Sequence, residues 1–451
     1  MSAMPIDHTR PEVLGPIGGA HPPWGVPRRN PEEFGYQVTE YQLRGIAACY
    51  EQTIIASAPS DGRIDVRELN TAPYHTRILV IRPRDPTHFN QTVLLNWQNV
   101  SAGFEQSAPS DGEIYEGYAW VGVSAQEVGL HGLPVADPHN VRPRAQPLVD
   151  HDPERYGMLH HPGDPGSFDI FSDAARVVGP ERSTAIDPLA GLDVRHVVAV
   201  GGSQSAMRLV TYANALHLRH RVIDGFALSV WEGRAPGLLE GPISLGGGRT
   251  TIRNDLATPM VVVNSEAETL PLYRTGAVDS EWIRFWEVAG APHGVSRGGQ
   301  PPDRRGRVAN PLTYKPIFES ALRHIKLWLS RGQVAPSFPR IEIDPGTPPR
   351  VRRDTYGNAL GGIRLPELEV PVAEYRGMAI GTGRGPLFGS SRPFPDDELR
   401  AMYPSRQAFD SRWERAVDAL VATQAIRAED AAAMRERARR VTLPVDSPSD
   451  H

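Results

Sequence analysis

The chain carries a single cysteine, Cys49, in 451 residues, so no intramolecular disulfide is possible. Nowhere does an apolar run reach the length needed to cross a bilayer. Neither sign of charge is in excess. Lys and Arg number 48 against 53 Asp and Glu, a formal net charge of −5, and that balance leaves no electrostatic footprint for a nucleic acid. The first residues, Met1-Ser2-Ala3-Met4-Pro5-Ile6-Asp7-His8, lack a basic segment followed by an apolar one, and the expected location is cytoplasmic. What is plentiful is glycine and proline, 43 of each, which favours many turns over long helices. Hydrophobic content of 40% and charged content of 22% are those of a soluble globular protein, and the length supports a large core and more than one structural unit.

One stretch organises the rest. Val197-Val198-Ala199-Val200 is an apolar, β-branched run of strand length, and Gly201-Gly202-Ser203-Gln204-Ser205-Ala206 follows it. Met207-Arg208-Leu209-Val210-Thr211-Tyr212 then reads as a helix. Gly-x-Ser-x-small between a strand and a helix is the pattern of a nucleophile elbow. The apical serine there is held in a strained backbone conformation that exposes its Oγ. Residues two before and two after it must be small, because strand and helix nearly touch. Gly201 and Ser205 meet that condition, although the fifth residue is usually glycine. The Gln204 N–H falls at a helix N-terminus, where it can face a developing oxyanion. The blander reading is a tight strand-to-helix turn or a phosphate-cradling loop. No Gly-x-Gly-x-x-Gly and no Gly-Lys-Ser/Thr follows, so no nucleotide cofactor is expected.

Residues 1–34 are proline-rich and lack periodicity, and read as an irregular N-terminal arm. Alternation over 36–43 and the run 77–81 suggest antiparallel strands. Apolar strands at 92–97, 119–124, 197–200, 225–230, 260–264 and 283–288 then alternate with helical stretches, the last helix at 312–330. That pattern predicts an α/β fold with a mostly parallel central sheet covered by helices. The connection over roughly 130–190 is rich in Pro, His, Asp and Gly and reads as a lid-like insertion in a core spanning 35–332. Residues 333–451 read as a C-terminal extension packed on that core.

A serine nucleophile needs a base within hydrogen-bond reach and an acid that orients the base. In a doubly wound hydrolase sheet the chain order is serine, acid, histidine. Ser265-Glu266-Ala267-Glu268 follows the strand at 260–264, and Ala289-Gly290-Ala291-Pro292-His293-Gly294 follows the strand at 283–288. His293 is therefore the candidate base. Glu268 is favoured as the acid by its distance past the strand, with Glu266 as the alternative. The second oxyanion donor is expected from the loop after 92–97, at the backbone N–H of Asn99 or Val100. His160-His161-Pro162-Gly163-Asp164 invites a metal reading, but no partner pair with ligand spacing appears, and no metal is expected. Trp231, Leu238, Leu239 and Ile243 are expected to line an apolar pocket.

Several dispersed stretches together resemble a family of large bacterial and fungal esterase-like proteins, the "alpha/beta hydrolase domain" group with a C-terminal extension. They are Asn99-Val100-Ser101-Ala102-Gly103, the run 117–126, Arg155-Tyr156-Gly157 with His161-Pro162-Gly163-Asp164 and the run 168–172, the elbow 201–206, and 356–366. The family often has Glu-Ser-Gln-Ser at the elbow, where this chain has Gly202 before Ser203. It often has Ser-Glu-x-Asp at the acid, where this chain ends in Glu268. The resemblance implies the alpha/beta-hydrolase fold and a serine triad.

These readings converge on a serine esterase without cofactor acting on a small-molecule ester, with no nucleic-acid partner and no membrane span. The alternatives are an acyltransferase using the same triad and a non-catalytic binding protein on a hydrolase scaffold.

Overall fold

The computed structural model describes residues 11–19, 21–53, 61–109, 112–133, 146–241, 247–295, 302–303, 305–378 and 386–446. The chain divides into two units. One comprises Met1–Leu228, Gly233–Met260 and Leu329–Arg331, and the other Ser229–Glu232, Val261–Trp328 and Gly332–His451.

The first unit carries the strands β1 (Glu12–Leu14), β2 (Tyr36–Gln52), β3 (Val66–Pro83), β4 (Thr92–Trp97), β5 (Ala119–Val123), β6 (His196–Gly202) and β7 (Gly225–Ser229). They lie side by side in the order β1-β2-β3-β5-β4-β6-β7. The outer part is antiparallel, with Val13 opposite Leu43, Tyr41 opposite Ile78 and Leu79 opposite Gly122. From β5 onward the order turns parallel: Leu94 pairs with Trp120 on one side and Val198 on the other. The sequence explains this change. The strands β4, β5 and β6 are near-continuous apolar runs, and Leu95, Val121 and Ala199 are fully buried, as strands covered on both faces require.

Part of the stretch 130–190 differs from its reading as an irregular insertion. Residues 134–145 lie outside the described residues, but Ser167–Val178 is a helix in which every residue except Arg176 is buried. Phe168, Phe171, Ala175 and Val178 recur at helical spacing, a signal masked by the Pro and Gly residues just before them. Its polar groups are satisfied inside the unit. Asp169 accepts the Ala48 N–H at 2.8 Å, and Asp173 accepts the Tyr74 hydroxyl at 2.7 Å.

A charged cluster sits at the centre of the antiparallel half. Arg77, fully buried, donates to Glu40 Oε1 at 2.5 Å and to Glu105 Oε2 at 2.9 Å. Arg155 donates to the second oxygen of Glu40 at 2.7 Å, and the Tyr156 hydroxyl to the first at 2.8 Å. Trp24 closes the cluster: its carbonyl accepts from Arg77 at 2.9 Å and its indole N–H donates to the Glu105 carbonyl at 3.0 Å. The N-terminal arm, β2, β3 and the loop after β4 thus share one ionic centre.

The second unit contains β8 (Met260–Ser265) and β9 (Ile283–Val288), which are neighbours. A helix, Glu266–Tyr273, begins directly at the end of β8. The helix Lys315–Arg331 ends at Gly332, whose φ of 67° suits a C-cap glycine. Beyond it lie two short antiparallel strand pairs, Ile343–Asp344 with Arg350–Val351 and Ala373–Arg376 with Ser390–Pro393. The helices Arg406–Ala422 and Asp430–Arg439 bury Trp413, whose indole N–H reaches the Met434 carbonyl at 2.9 Å. Among the described residues, no helix is long and apolar enough to cross a membrane.

Removing one partner of a buried ionic cluster strands the others without counter-charge. Arg77→Ala is expected to lower stability by about 3–5 kcal/mol, against under about 1 kcal/mol for Arg323→Ala, whose Glu429 pair is at the surface. The change in the urea unfolding midpoint measures both.

Candidate active site

Ser203 stands between the end of β6 and the helix Gln204–Ala215, with φ 55° and ψ −118°. Few non-glycine residues adopt positive φ, and a serine held there at a strand-to-helix turn is under backbone strain. The neighbours show why the turn is this tight. A Cβ on Gly201 would lie 2.8 Å from Leu209 Cδ1 and 3.0 Å from the Ser205 carbonyl carbon. Ser205, where glycine is commoner, is accommodated because its hydroxyl donates to the Gly202 carbonyl at 3.0 Å. The first N–H groups of a helix, that of Gln204 among them, have no partner within it.

The loop after β4 is fastened to this turn by a side chain. Asn99 Nδ2 donates to the Gly202 carbonyl at 2.8 Å. Its Oδ1 accepts the Ser101 N–H at 2.9 Å, which occupies that amide. Gln106 N–H donates to the Asn99 carbonyl at 3.1 Å and closes the loop. Val100 is buried. Sequence reasoning places Asn99 here as a backbone donor and misses the bracing by its amide side chain.

A second polar network supports the elbow helix from behind. Gln204 Nε2 donates to Gln126 Oε1 at 2.8 Å, and Gln126 Nε2 donates to Asp164 Oδ2 at 2.8 Å. Arg208, 1% exposed, donates to the same Asp164 oxygen at 2.9 Å and to the Gly241 carbonyl at 2.9 Å. Asp164 also accepts the Glu127 N–H at 3.0 Å. His161 donates from Nε2 to the Ala125 carbonyl at 2.9 Å and accepts the Gly163 N–H at Nδ1, 3.1 Å away. The His160–Asp164 stretch is thus a structural brace. Among the described residues, no group of three or more His, Cys, Asp or Glu could hold a metal.

In the second unit, His293 and Glu268 come together. His293 Nδ1–H donates to Glu268 Oε1 at 2.7 Å, and the carboxylate fixes which ring nitrogen carries that proton. The other Glu268 oxygen, Oε2, accepts the Ser265 N–H at 2.9 Å and the Ser265 hydroxyl at 2.6 Å, a capping box at the start of Glu266–Tyr273. Glu266 faces other partners. Its Oε1 pairs with Arg353 at 2.6 Å, and its Oε2 accepts the Gly290 N–H at 2.9 Å.

Residues 6–436 match the alpha/beta hydrolase domain family, a span that takes in the elbow, the acid turn and the histidine loop. The chain belongs to that family. Among solved structures, this hydrolase-family chain is similar to esterase Est22, at 12% identity over 57% of this chain and 74% of that one, with a TM-score of 0.30. It is similar to a brefeldin A esterase, described as a bacterial homologue of human hormone-sensitive lipase, at 13% identity over 54% and 68% of the two chains, with a TM-score of 0.26. A third similarity is to fungal esterases from Rhizomucor miehei, at 12% identity over 62% and 83%, with a TM-score of 0.30. No curated protein matches the chain.

Of the four residues expected to line an apolar pocket, three lie among the described residues. Trp231 is fully buried, with its backbone N–H and carbonyl both held by Asn264 at 2.8 Å. Leu238 is buried and Leu239 is half exposed, while Ile243 lies outside the described residues.

The brace behind the elbow is expected to weaken at low pH. Burial holds the His161 imidazole down to about 4, from an ordinary 6.5. Its stabilising contribution is complete above pH 6.5 and is lost as pH falls from there toward 4. The expected loss is about 3 kcal/mol for this one histidine, at about 1.4 kcal/mol for each pH unit between those two values. Urea midpoints for wild type and His161→Gln across pH 4–7 check this, with a shallower fall expected in the variant. Gly201→Ala should lower activity at any pH, because its methyl meets the helix.

Proposed function

We propose that this protein is a serine hydrolase that cleaves a carboxylic ester through an acyl-enzyme intermediate. The observation that carries the reading is Ser203, a non-glycine residue at φ 55° on the turn between a buried strand and a helix N-terminus. Backbone strain of that kind concentrates where a side chain must be presented for chemistry. The His293–Glu268 pair at 2.7 Å supports it, since it supplies an oriented imidazole and a carboxylate to stabilise the imidazolium.

In this reading Ser203 Oγ attacks the ester carbonyl while His293 Nε2 takes its proton. The tetrahedral oxyanion is held by the Gln204 N–H at the helix N-terminus and by a second backbone N–H, from Asn99 or Val100. His293 passes the proton to the departing alkoxide, and the alcohol leaves. Water, deprotonated by His293, then attacks the acyl-Ser203 ester, and the imidazolium returns that proton to the departing Ser203 Oγ as the carboxylic acid is released. Glu268 orients the imidazole and stabilises its cation throughout. The reaction needs no cofactor in this scheme.

The test is turnover of p-nitrophenyl acetate and butyrate together with labelling by a fluorophosphonate. Ser203→Ala should lose both the acylation burst and the label while remaining folded. Glu268→Gln should lower kcat by about 10⁴-fold, the scale found when a triad acid becomes an amide. Glu266→Gln should cost far less, because an amide oxygen still accepts the Gly290 N–H. Equal rates in wild type and Ser203→Ala, with no label in either, would overturn the reading.

A further inference from the structure

The loop that carries His293 is held at nearly every backbone position before the histidine. The Ala289 N–H donates to the Ile363 carbonyl at 3.0 Å, and the Gly290 N–H donates to Glu266 Oε2 at 2.9 Å. The Gly290 carbonyl accepts from Asn310 Nδ2 at 2.7 Å, and the Ala291 carbonyl accepts the Glu266 N–H at 3.0 Å. Just beyond His293, the Gly294 N–H donates to the Leu387 carbonyl at 2.8 Å. Glu266 is involved twice in this series, once through its backbone and once through its side chain.

Glu266 is only 6% exposed, and a buried carboxylate without a counter-charge is costly. Its counter-charge is Arg353, whose Nη2 donates to Oε1 at 2.6 Å. Arg353 is itself held in a tight hairpin. The Asp354 N–H donates to the Asn358 carbonyl at 2.8 Å, and the Leu360 N–H donates to the Arg352 carbonyl at 3.0 Å. Asn358 ties that hairpin to the strand Ala373–Arg376, accepting the Tyr375 N–H at 2.7 Å and donating to the Ala373 carbonyl at 3.2 Å. The strand then delivers Gly377, whose N–H donates to Glu266 Oε1 at 3.3 Å. A Cβ on Gly377 would lie 2.6 Å from Glu266 Cβ and 2.8 Å from the Ala291 carbonyl oxygen. The backbone of the C-terminal segment is therefore pressed directly onto the acid turn and the histidine loop.

We propose that Arg353, acting through Glu266, is a positioning residue for His293, and that the C-terminal segment is a clamp on the acid–histidine half of the site. This inference rests on the reading of His293 as the base. The clamp leaves the Glu268–His293 hydrogen bond to Glu268 and fixes the loop backbone from which His293 projects. Losing Arg353 leaves the Glu266 carboxylate buried and without its counter-charge. It then has reason to turn toward water and release Gly290.

The experiment uses the full chain with Arg353→Ala, Arg353→Lys, Gly377→Ala and the surface control Arg323→Ala. Circular dichroism establishes folding. Kinetics on p-nitrophenyl butyrate gives kcat and KM, and proton NMR follows the downfield signal of the His293 Nδ1–H bonded to Glu268. Arg353→Ala is expected to lower kcat by about 10²-fold, the scale of an ångström-sized misplacement, with KM within about twofold of wild type. Its downfield signal should broaden or vanish, and Arg353→Lys should recover most of the rate. Gly377→Ala, which keeps both charges, should act in the same direction, and Arg323→Ala should match wild type. A folded Arg353→Ala with wild-type kcat and an unchanged signal overturns the clamp. If that variant does not fold, a folded Gly377→Ala with wild-type kcat and signal overturns it instead. If the wild type neither turns over esters nor accepts a fluorophosphonate, the hydrolase reading falls. The NMR comparison still decides the clamp: a lost signal in the variants supports it and a retained one overturns it.

Discussion

The backbone of Ser203 is the constraint to which the first unit is fitted. A non-glycine residue at φ 55° carries strain on the order of 1–3 kcal/mol, and it persists only where the surroundings leave no alternative. Each neighbour removes one. Gly201 lets the strand come within van der Waals contact of the helix. The Gly202 carbonyl is fixed by two donors, Asn99 Nδ2 and Ser205 Oγ. Gln204 and Arg208 anchor the helix through Gln126 and Asp164. Relaxing the serine would mean breaking contacts with the loop after β4, with β6 and with the 160s segment at once.

The means by which this is done is costly in itself. Arg77 and Arg208 are almost wholly removed from water, and so are their carboxylate partners Glu40, Glu105 and Asp164. Buried ion pairs of this kind contribute little net stability against well-packed apolar groups. What they supply is direction. Glu105 closes the loop that begins at Gln98, whose N–H is held by the Val123 carbonyl. Apolar packing could fill the same space but would not fix which way the amides between those two anchors face.

Periodicity and apolar runs reveal the strands well. Thr92–Trp97 and Ile283–Val288 have the bounds read from sequence, and the antiparallel character of the 36–83 region also stands out. The helix Ser167–Val178 escapes such a reading because Pro and Gly residues precede it and its buried residues include Asp169, Ser172 and Asp173. Those residues read as loop until their partners in β2 and β3 are known. The stretch His160–Asp164 looks like a possible metal motif for the same reason. Its residues do have specific partners, but these are the Ala125 carbonyl, Gln126 and Arg208, all far away in sequence. Burial of a polar side chain against a distant partner leaves no local pattern to read.

The two glutamates show the same limit at the finest scale. They are two residues apart in one helical turn, so their side chains leave the helix about 200° apart. That rotation sends Glu266 toward Arg353 and Glu268 toward His293. Sequence alone favours Glu268 by its distance from the strand, and its environment adds a reason for its identity. As the third residue of the helix, Glu268 reaches back to cap Ser265 with one oxygen and meets His293 with the other. Capping boxes use glutamate or glutamine at that position because the side chain must span a turn. Aspartate is one methylene shorter than the side chain that spans both contacts here. The glutamate thus locks its own rotamer through the helix cap, and the carboxylate it presents to His293 is already oriented.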